Sequence, residues 1–551
     1  MKRRTYYNMK KNLMGISIIT MTCLYGFLAA IVILVCALTD IPILSGIIAS
    51  IVILVIQFII SPFLTDLNMK WFYKATFDAE IPGWLREYIE EVCEKENMKF
   101  PKIGFINDGA PNAFTYGHVK NNARIVLTRG IFDILNEDEV KAVVGHELGH
   151  AIHYDMLLMT VAQLVPLVLY AVYEAMVKAP VKKSSSSSKS SSAESYAAII
   201  GLIAYVLYII SQYIILWLSR QREYFADEFA CRSTGSPNSL ANALVNIGYG
   251  LSVSTSDDAN TNHSAASPST LGISDAKFSK ATAITAFDDD GNRSKEGIKE
   301  AMKWDMWNVW AKLYELKSTH PLISKRILRI SEFSPEYGQE PYIVFDLEQP
   351  ESYADDFLRD LLVIALPPVL AFAGFIAAFA GIAGNSDKSI YAGLGIVALS
   401  LVASLVKFLY KRPGGGYEPR TVKSLLGEVK VSEAKSIPCE LTGSIIGRGN
   451  PGCIFNEDFV IRDDTGIVFL DYNQPLRIIN KLFAIFRSPE YFDKQVTVKG
   501  WYRRSPTPYV EIRQLEYDGS VKKVWTYGWG IAWRLILMAI FVLIAVSAFM
   551  G

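Results

Sequence analysis

Long apolar runs alternate with polar stretches along this 551-residue chain. A transmembrane helix needs about 20 consecutive, mostly apolar residues, and several of the runs reach that length. Three pairs of runs, with a polar link inside each pair, predict helical hairpins, and one more run lies near the C-terminus. The seven predicted spans are residues 13–38, 41–63, 157–176, 197–218, 357–383, 389–410 and 529–550. This pattern predicts an integral membrane protein.

Basic residues predict how these spans are oriented. Five Lys or Arg residues lie within the first 11 positions, and loops rich in such residues stay in the cytoplasm. We therefore expect the N-terminus and the segments 64–156, 219–356 and 411–528 to be cytoplasmic. The loop 177–196 disagrees, because it would lie outside although it carries four lysines. Either that hairpin does not cross fully, or the loop is an exception to the rule.

The long polar segments predict two kinds of domain. Residues 69–156 mix helical and strand patterns, which indicates an α+β domain (65–156), and residues 219–356 are expected to be its second part. Residues 412–528 alternate between apolar and polar positions and carry turn signals such as Asp463-Asp464-Thr465-Gly466. This alternation is typical of a small all-β unit and resembles an OB-like barrel. Its five predicted strands are residues 439–446, 459–463, 467–472, 495–502 and 509–515.

A helical stretch at residues 476–486 interrupts the β unit. Its apolar face has two possible positions, against the end of the barrel or on the membrane surface.

The whole pattern predicts seven segments: a membrane hairpin (1–64), the first part of the α+β domain (65–156), a second hairpin with a Ser- and Lys-rich mobile loop at 184–192 (157–218), the second part of the α+β domain with a mobile insert at 251–274 (219–356), a third hairpin (357–411), the β unit (412–528) and a last span (529–551).

Composition supports the membrane prediction and excludes several functions. Apolar residues make up 51% of the chain, and the mean hydropathy is +0.22. The 55 basic and 55 acidic residues balance, so we predict no nucleic-acid binding driven by phosphate attraction. The six cysteines form no Cys-x-x-Cys pair, which argues against a disulfide scaffold or a thiolate zinc site. No phosphate-binding Gly-x-x-x-x-Gly-Lys motif is present, so ATP is not an expected partner.

Three of the six histidines fall within eight residues, in and just after His146-Glu147-Leu148-Gly149-His150. On a helix, His146 and His150 lie one turn apart on the same face. Both rings can then bind one Zn²⁺ ion at about 2.0–2.1 Å. Glu147 lies beside the open position of the metal, where a carboxylate acts as general base toward the water that the ion activates. The helix is expected to begin after Asn136, a favourable N-cap residue.

A catalytic zinc site needs a third protein ligand, and the best candidate is Glu223. Asp227 follows it by one helical turn and is expected to fix the tautomer of a ligand histidine. Asp155 is a second candidate for that supporting role. His153 is the rival ligand, but a third histidine so close on one helix crowds the face, so we interpret it as a surface or supporting group.

These residues carry a family resemblance. The motifs Asn112-Ala113-Phe114, His146–His150, Arg222–Asp227 and Thr319-His320-Pro321 with Arg326-Ile327 resemble those of the HtpX-like membrane metallopeptidases, relatives of the CAAX prenyl endopeptidases. The resemblance covers roughly residues 10–335. It implies an α-helical integral membrane protein with a cytoplasmic α+β zincin domain of the gluzincin type, to which this chain adds a small all-β, OB-like barrel.

The resemblance also implies an activity and further site residues. It implies an ATP-independent zinc endopeptidase at the cytoplasmic face of the cell membrane, with one Zn²⁺ per subunit and with protein or peptide substrates, in membrane-protein quality control. His320 is expected to donate a hydrogen bond to the oxyanion, and Arg326 to support it or to hold the substrate backbone. The strand at Asn112, Ala113 and Phe114 is expected to bind substrate by strand addition.

Two alternative functions stay open. One is a processing protease for lipidated proteins, although the position of the zinc helix and the β unit fit that relative less well. The other is a non-catalytic membrane scaffold with structural zinc, against which Glu147 argues, because a structural site has no use for a base beside an open position. The third hairpin, the β unit and the last span lie outside the resemblance and leave substrate choice undetermined.

Overall fold

The computed structural model describes residues 16–32, 34, 43–77, 80–108, 111–178, 190–253, 295–448, 457–505 and 507–550. The chain divides into two compact units. Unit 1 comprises the described residues up to 247 and residues 315–344. Unit 2 comprises residues 248–253, 295–314 and the described residues from 345 to 550. Of the two stretches predicted to be mobile, only residues 190–192 and 251–253 are described, and both are helical.

Helices dominate unit 1. In chain order they are α1 (Ile16–Val32), α2 (Ile43–Trp71), α3 (Gly83–Lys95), α4 (Arg129–Ile134), α5 (Glu137–Ile152), α6 (Asp155–Lys178), α7 (Ser190–Thr234) and α8 (Pro237–Val253), which runs into unit 2. Four strands, β1 (Thr76–Phe77), β2 (Lys102–Ile106), β3 (Ala113–Gly117) and β4 (Ala123–Thr128), form one sheet in the order β1-β2-β4-β3. Strand β3 pairs antiparallel with β4 and forms an edge of this sheet among the described strands.

The start of α5 is fixed by its own sequence. The side chain of Asn136 accepts a hydrogen bond from the Glu139 backbone N–H, and the Glu139 side chain accepts one from the Asn136 N–H. This capping box satisfies two N–H groups that have no partner within the helix. The Glu139 carboxylate also accepts a 2.9 Å hydrogen bond from Asn246 of α8. The predicted N-cap is therefore confirmed, and α5 is held firmly before it reaches its histidines.

Two glycines allow α5 to lie close against α7. A Cβ atom at Gly149 would lie 3.1 Å from the Cα of Ala226, closer than side chains normally approach a backbone. At Gly145 it would meet the hydroxyl of Tyr88 at 2.5 Å and that of Ser233 at 2.9 Å. Larger residues at either position would push the two helices apart. The short approach brings the His146 face of α5 opposite the polar residues of α7.

Helix α7 is 45 residues long and continuous. The predicted span 197–218 and the motif that carries Glu223 lie on this one helix. No proline occurs between residues 190 and 234, so nothing in the chain interrupts the backbone hydrogen bonds. The third candidate ligand is therefore attached rigidly to a membrane span.

Unit 2 combines helices with the β unit. The remaining helix of unit 1 is α11 (Ile323–Phe333). The helices of unit 2 are α9 (Lys295–Trp307), α10 (Val309–Leu316, shared with unit 1), α12 (Ala354–Ala383), α13 (Asp387–Lys411), α14 (Val422–Leu426), α15 (Arg477–Phe486) and α16 (Thr526–Met550). Its strands are β5 (Glu418–Pro419), β6 (Ile437–Arg448), β7 (Phe459–Asp463), β8 (Gly466–Asp471), β9 (Gln495–Ser505), β10 (Thr507–Tyr517) and β11 (Ser520–Lys523).

Five of these strands close into a barrel. Antiparallel pairs join β6 to β7, β7 to β8, β9 to β10 and β6 to β9, and a parallel pair joins β8 to β10. Helix α15 lies between β8 and β9 in sequence and packs the ring of Phe483 on that of Tyr472, with the centroids 3.9 Å apart. The five predicted strands and the helix are thus confirmed, and two short strands extend the sheet.

Five helices in the described part of the chain are long and apolar enough to cross a membrane: Asp155–Val177, Ala197–Thr234, Ala354–Ala383, Asp387–Lys411 and Thr526–Ser547. They correspond to five of the seven predicted spans. The described parts of the two N-terminal runs are also helical, since α1 is a shorter apolar helix within the first run and α2 covers residues 43–63 of the second. The chain is therefore a helical membrane protein with a β-barrel region near its C-terminus.

Candidate active site and metal centre

The three predicted ligands meet inside unit 1. The Nε2 atoms of His146 and His150 lie 3.2 Å apart, and each lies 3.5 Å from a carboxylate oxygen of Glu223. In the described part of the chain, His146, His150 and Glu223 form a group whose three possible ligand atoms all lie within 4.8 Å of one another. The spacing of His146 and His150 on α5 and the close approach of α7 produce this convergence.

The donor set fits a zinc ion. Ligand atoms at about 2.0–2.1 Å from a tetrahedral Zn²⁺ ion lie roughly 3.3 Å from one another. The separations of 3.2 and 3.5 Å found here match that spacing. Two imidazole nitrogens and one carboxylate are also ligands that zinc prefers at catalytic sites, where the remaining position stays open.

Each candidate ligand histidine is oriented by a carboxylate on its other ring nitrogen. Asp227 lies 3.0 Å from Nδ1 of His146, and Asp155 lies 2.7 Å from Nδ1 of His150. A carboxylate in this position fixes the tautomer and leaves the lone pair of Nε2 for the metal. The structure therefore brings both predicted supporting residues to the site.

Two buried arginines hold these carboxylates. Arg326 on α11 is fully buried and donates two hydrogen bonds to Asp227, at 2.6 and 2.8 Å. Arg222 forms an ion pair with Asp155 and donates a 2.8 Å hydrogen bond to the carbonyl of His153. Of the two expected roles of Arg326, these contacts favour support of the site over contact with a substrate backbone, because the guanidinium is enclosed and paired with Asp227.

Burial and charge set the protonation of the histidines. Burial lowers the pKa of His150 to about 3, so this ring is neutral and free to bind a metal. Burial also lowers the pKa of His146, but hydrogen bonds to Asp227 and Glu223 outweigh it and raise that pKa to about 9. The two carboxylates thus favour positive charge at His146, which a proton or a divalent cation supplies.

Glu147 and His320 border the same site. Burial raises the pKa of Glu147, an effect that the neighbouring His146 opposes. Its backbone carbonyl accepts a 3.2 Å hydrogen bond from Thr115 of β3, which fixes α5 against the edge strand. Nδ1 of His320 lies 2.9 Å from a carboxylate oxygen of Glu223. The motif at 319–321, which lies far along the chain, is therefore part of the same site.

A cavity of about 270 Å³ opens onto these side chains, and its lining includes Glu147, His150, Glu223 and His320. On one side it is lined by Thr115, Tyr116 and Gly117 of β3. The predicted substrate residues Asn112, Ala113 and Phe114 are buried, and Phe114 and Tyr116 belong to one hydrophobic cluster. Strand β3 is an edge strand among the described strands, as expected, and its residues 115–117 line the cavity. Substrate binding by this strand stays a prediction.

His153 lies outside the ligand cluster. It caps the C-terminus of α5, is half-buried, and its ring lies 5.9 Å from that of Phe229. The next residue, Tyr154, has a φ of 59°, so the chain turns sharply before α6. Helix α5 thus ends immediately after its second candidate ligand.

Comparison with known proteins identifies the class to which this site belongs. The sequence profile of peptidase family M48 matches residues 81–334. A protease HtpX homolog of Methanothermobacter thermautotrophicus is 34% identical over 197 residues, which are 36% of this chain and 70% of that protein. The chain belongs to peptidase family M48. It is a membrane metalloprotease, and the predicted HtpX-like relationship is confirmed.

A second relative aligns over more of this chain, and a solved structure aligns with lower identity. A protease HtpX homolog of Aeropyrum pernix is 28% identical over 285 residues, covering 51% of this chain and 84% of that protein. The crystal structure of S. mikatae Ste24p aligns at 22% identity with a TM-score of 0.29, over 45% of this chain and 60% of that one. That TM-score is too low to carry an argument. The M48 match ends before the third hairpin, the barrel and α16.

Proposed function

We propose that this chain is a zinc-dependent endopeptidase that cleaves membrane proteins, with its site on the cytoplasmic side of the cell membrane. The observation that carries the proposal is the convergence of His146, His150 and Glu223 next to Glu147, at separations that suit one tetrahedral ion. Membership of a protease family supports the reaction type.

His146, His150 and Glu223 would hold the metal, and Asp227 and Asp155 would orient the two rings. Bound there, Zn²⁺ supplies Lewis-acid polarisation of the attacking water and of the scissile carbonyl. Arg326 and Arg222 pair with the two orienting carboxylates and hold them in place. The chain thus supplies two oriented imidazole rings and one carboxylate, supported by buried ion pairs.

Glu147 performs the proton transfers. Its carboxylate accepts a proton from the water as the water attacks the carbonyl carbon, and it then donates that proton to the leaving amine. A base in this role contributes about 10²–10⁴-fold to the rate. His320 has Nδ1 directed to Glu223, so Nε2 is the ring nitrogen that is left to donate a hydrogen bond to the developing oxyanion.

The edge strand and the cavity support an extended protein substrate. A peptide paired with the outer part of β3 would pass Thr115, Tyr116 and Gly117, which line the same cavity as Glu147. The cavity is also lined by Met159 and Gln163 of the membrane-spanning helix α6. Access along that helix suits unfolded membrane proteins, and the proposed role is therefore membrane-protein quality control. Cleavage of such a substrate needs no ATP within this chain.

Degradation of an unfolded model membrane protein by the purified full chain in detergent tests the proposal. Wild type should cleave the substrate with Zn²⁺ present, and Glu147→Gln should lose about 10²–10⁴-fold in rate while keeping bound zinc. Glu137→Gln, an exposed glutamate in the first turn of the same helix, is the matched control and should cleave normally. Cysteine labelling from either side of sealed vesicles would test the cytoplasmic orientation.

Two outcomes would contradict the assignment. If Glu147→Gln still cleaves at the wild-type rate, Glu147 is not the base. If wild type holds zinc but cleaves nothing, the metal serves a structural role in a membrane scaffold, the alternative that the sequence left open.

A further inference from the structure

Helix α15 in the β unit has two apolar faces. On the inner face, Phe483 and Ala484 are buried against the end of the barrel. On the outer face, Ile478 is 66% exposed, Leu482 50% and Phe486 69%. Residues spaced four apart share one face of a helix, so these three form a continuous apolar stripe. A water-soluble surface rarely presents such a stripe without a partner.

The start of α15 is attached to the start of the membrane span α16. The backbone N–H of Trp525 donates a 3.0 Å hydrogen bond to the side chain of Gln474. The hydroxyl of Thr526 donates another to the carbonyl of Asn473. Residues 473 and 474 lie three to four residues before the start of α15 at Arg477, and Thr526 is the first residue of α16. The start of α15 is therefore held close to the start of α16.

The surroundings of this junction are those of a membrane interface. Trp525 is 70% exposed, and Trp529 and Leu476 are also exposed. Tryptophan is enriched where a protein crosses from lipid to water. At ten residues, α15 is about 15 Å long, half of what a span requires. A helix too short to span the bilayer, with an apolar outer face, is suited to a position in the plane of the interface.

We propose that the outer face of α15, formed by Ile478, Leu482 and Phe486, lies in the interfacial layer of the lipid bilayer. Its occupant is the bilayer surface, because the stripe is attached by hydrogen bonds to a span and has exposed tryptophans beside it. The inner face fills the end of the barrel, so one helix joins the barrel to the lipid. This membrane contact is independent of the proteolytic activity proposed for unit 1.

Site-specific fluorescence in liposomes tests the contact. The full chain, in a cysteine-free background that retains peptidase activity, receives a single Leu482→Cys and an environment-sensitive NBD label. After reconstitution in phosphatidylcholine–phosphatidylglycerol vesicles, a nitroxide on carbon 5 of the acyl chain should quench the label at least about twofold. Ile478→Cys, one turn earlier, replaces Leu482→Cys if that variant does not fold.

Asp464→Cys provides the matched control. Asp464 is exposed in the turn between β7 and β8, at the opposite end of β8 from α15. Six residues of strand place it about 20 Å away, so a label there should be unaffected by lipid nitroxide and quenched by iodide. A Leu482 label that iodide quenches and lipid nitroxide does not would overturn the proposal. Disulfide-linked dimers of Leu482→Cys, with no lipid quenching, would assign the face to a second copy instead.

Discussion

Two buried carboxylates on membrane-spanning helices differ in what surrounds them. Glu223 of α7 lies within 3.6 Å of His146, His150, His320 and Arg326. Asp360 of α12 accepts hydrogen bonds from neutral donors, namely the side chains of Trp310, Tyr410 and Ser432. Both carboxylates are almost fully buried.

The difference separates chemistry from structure. Charged groups in a membrane segment are usually functional, and by that rule both carboxylates would qualify. These three neutral donors satisfy the carboxylate of Asp360 with hydrogen bonds, and they supply no further group that would bind a cation. The imidazole nitrogens around Glu223 carry lone pairs of their own, so the group as a whole can bind a metal ion. The chemical type of the neighbouring groups, more than the burial of the carboxylate, distinguishes a metal ligand from a carboxylate with a structural role.

The largest expected effect is the loss of metal when Glu223 is changed. Glu223→Gln should lose bound zinc and at least about 10³-fold in peptidase activity, whereas Asp360→Asn should keep both. Metal content by mass spectrometry and cleavage of a model substrate check the pair. Equal zinc loss in the two variants would break the comparison, since it would mean that Asp360 also supports the metal.

Two fully buried arginines give the next contrast. Arg326 pairs with Asp227 in unit 1, and Arg504 donates to the carbonyl of Ala301 and to Asp305 in unit 2. Replacing either by Met should destabilise its unit by about 3–5 kcal/mol, because a buried partner loses its counter-charge. Thermal melting should detect both losses. Only Arg326→Met should also weaken zinc binding, and an equal effect of Arg504→Met would contradict this.

Asp155 should have a smaller and more specific effect. Asp155→Asn removes the charge that orients His150, and loss of such a group weakens metal affinity about 10–100-fold. Ser432→Ala removes one donor to Asp360 and should leave metal affinity unchanged. Zinc competition with a fluorescent chelator measures both. An unchanged affinity in Asp155→Asn would show that α5 alone orients His150.

The smallest expected effect concerns the pH dependence of the β unit. Burial raises the pKa of Asp458 to about 7, with a contribution from Asp471. Between the ordinary pKa and this value the folded state binds more protons than the unfolded state, so stability falls as pH rises through that window. Asp458→Asn should therefore melt at least roughly 2–4 °C above wild type at pH 8 and by a smaller margin at pH 5, which lies lower in the same window. A constant difference at both pH values would exclude titration of Asp458 as the cause.

The sequence predicted the centre of the site better than its surroundings. The spacing of His146 and His150 and the Glu223–Asp227 pair depend on helical periodicity, which is local and readable. The five barrel strands were readable for the same reason. The pairing of the buried Arg326 with Asp227 depends on how α11 packs against α7. No local sequence pattern encodes that packing. Alternation along β3 assigns the two faces of a strand and not the residues that border a cavity, so the lining by residues 115–117 came from the structure.

The unbroken helix α7 sets the distance between the membrane span and the metal site. Because Glu223 lies on the same rod as the span, its height and rotation are fixed by the helical register. Inserting one residue between the span and Glu223 would raise the carboxylate by about 1.5 Å and turn it by roughly 100°, away from both histidines. A change of tilt as the bilayer thins or thickens would likewise be transmitted to the carboxylate. Membrane thickness would in this way affect the position of the Glu223 carboxylate relative to the two histidines.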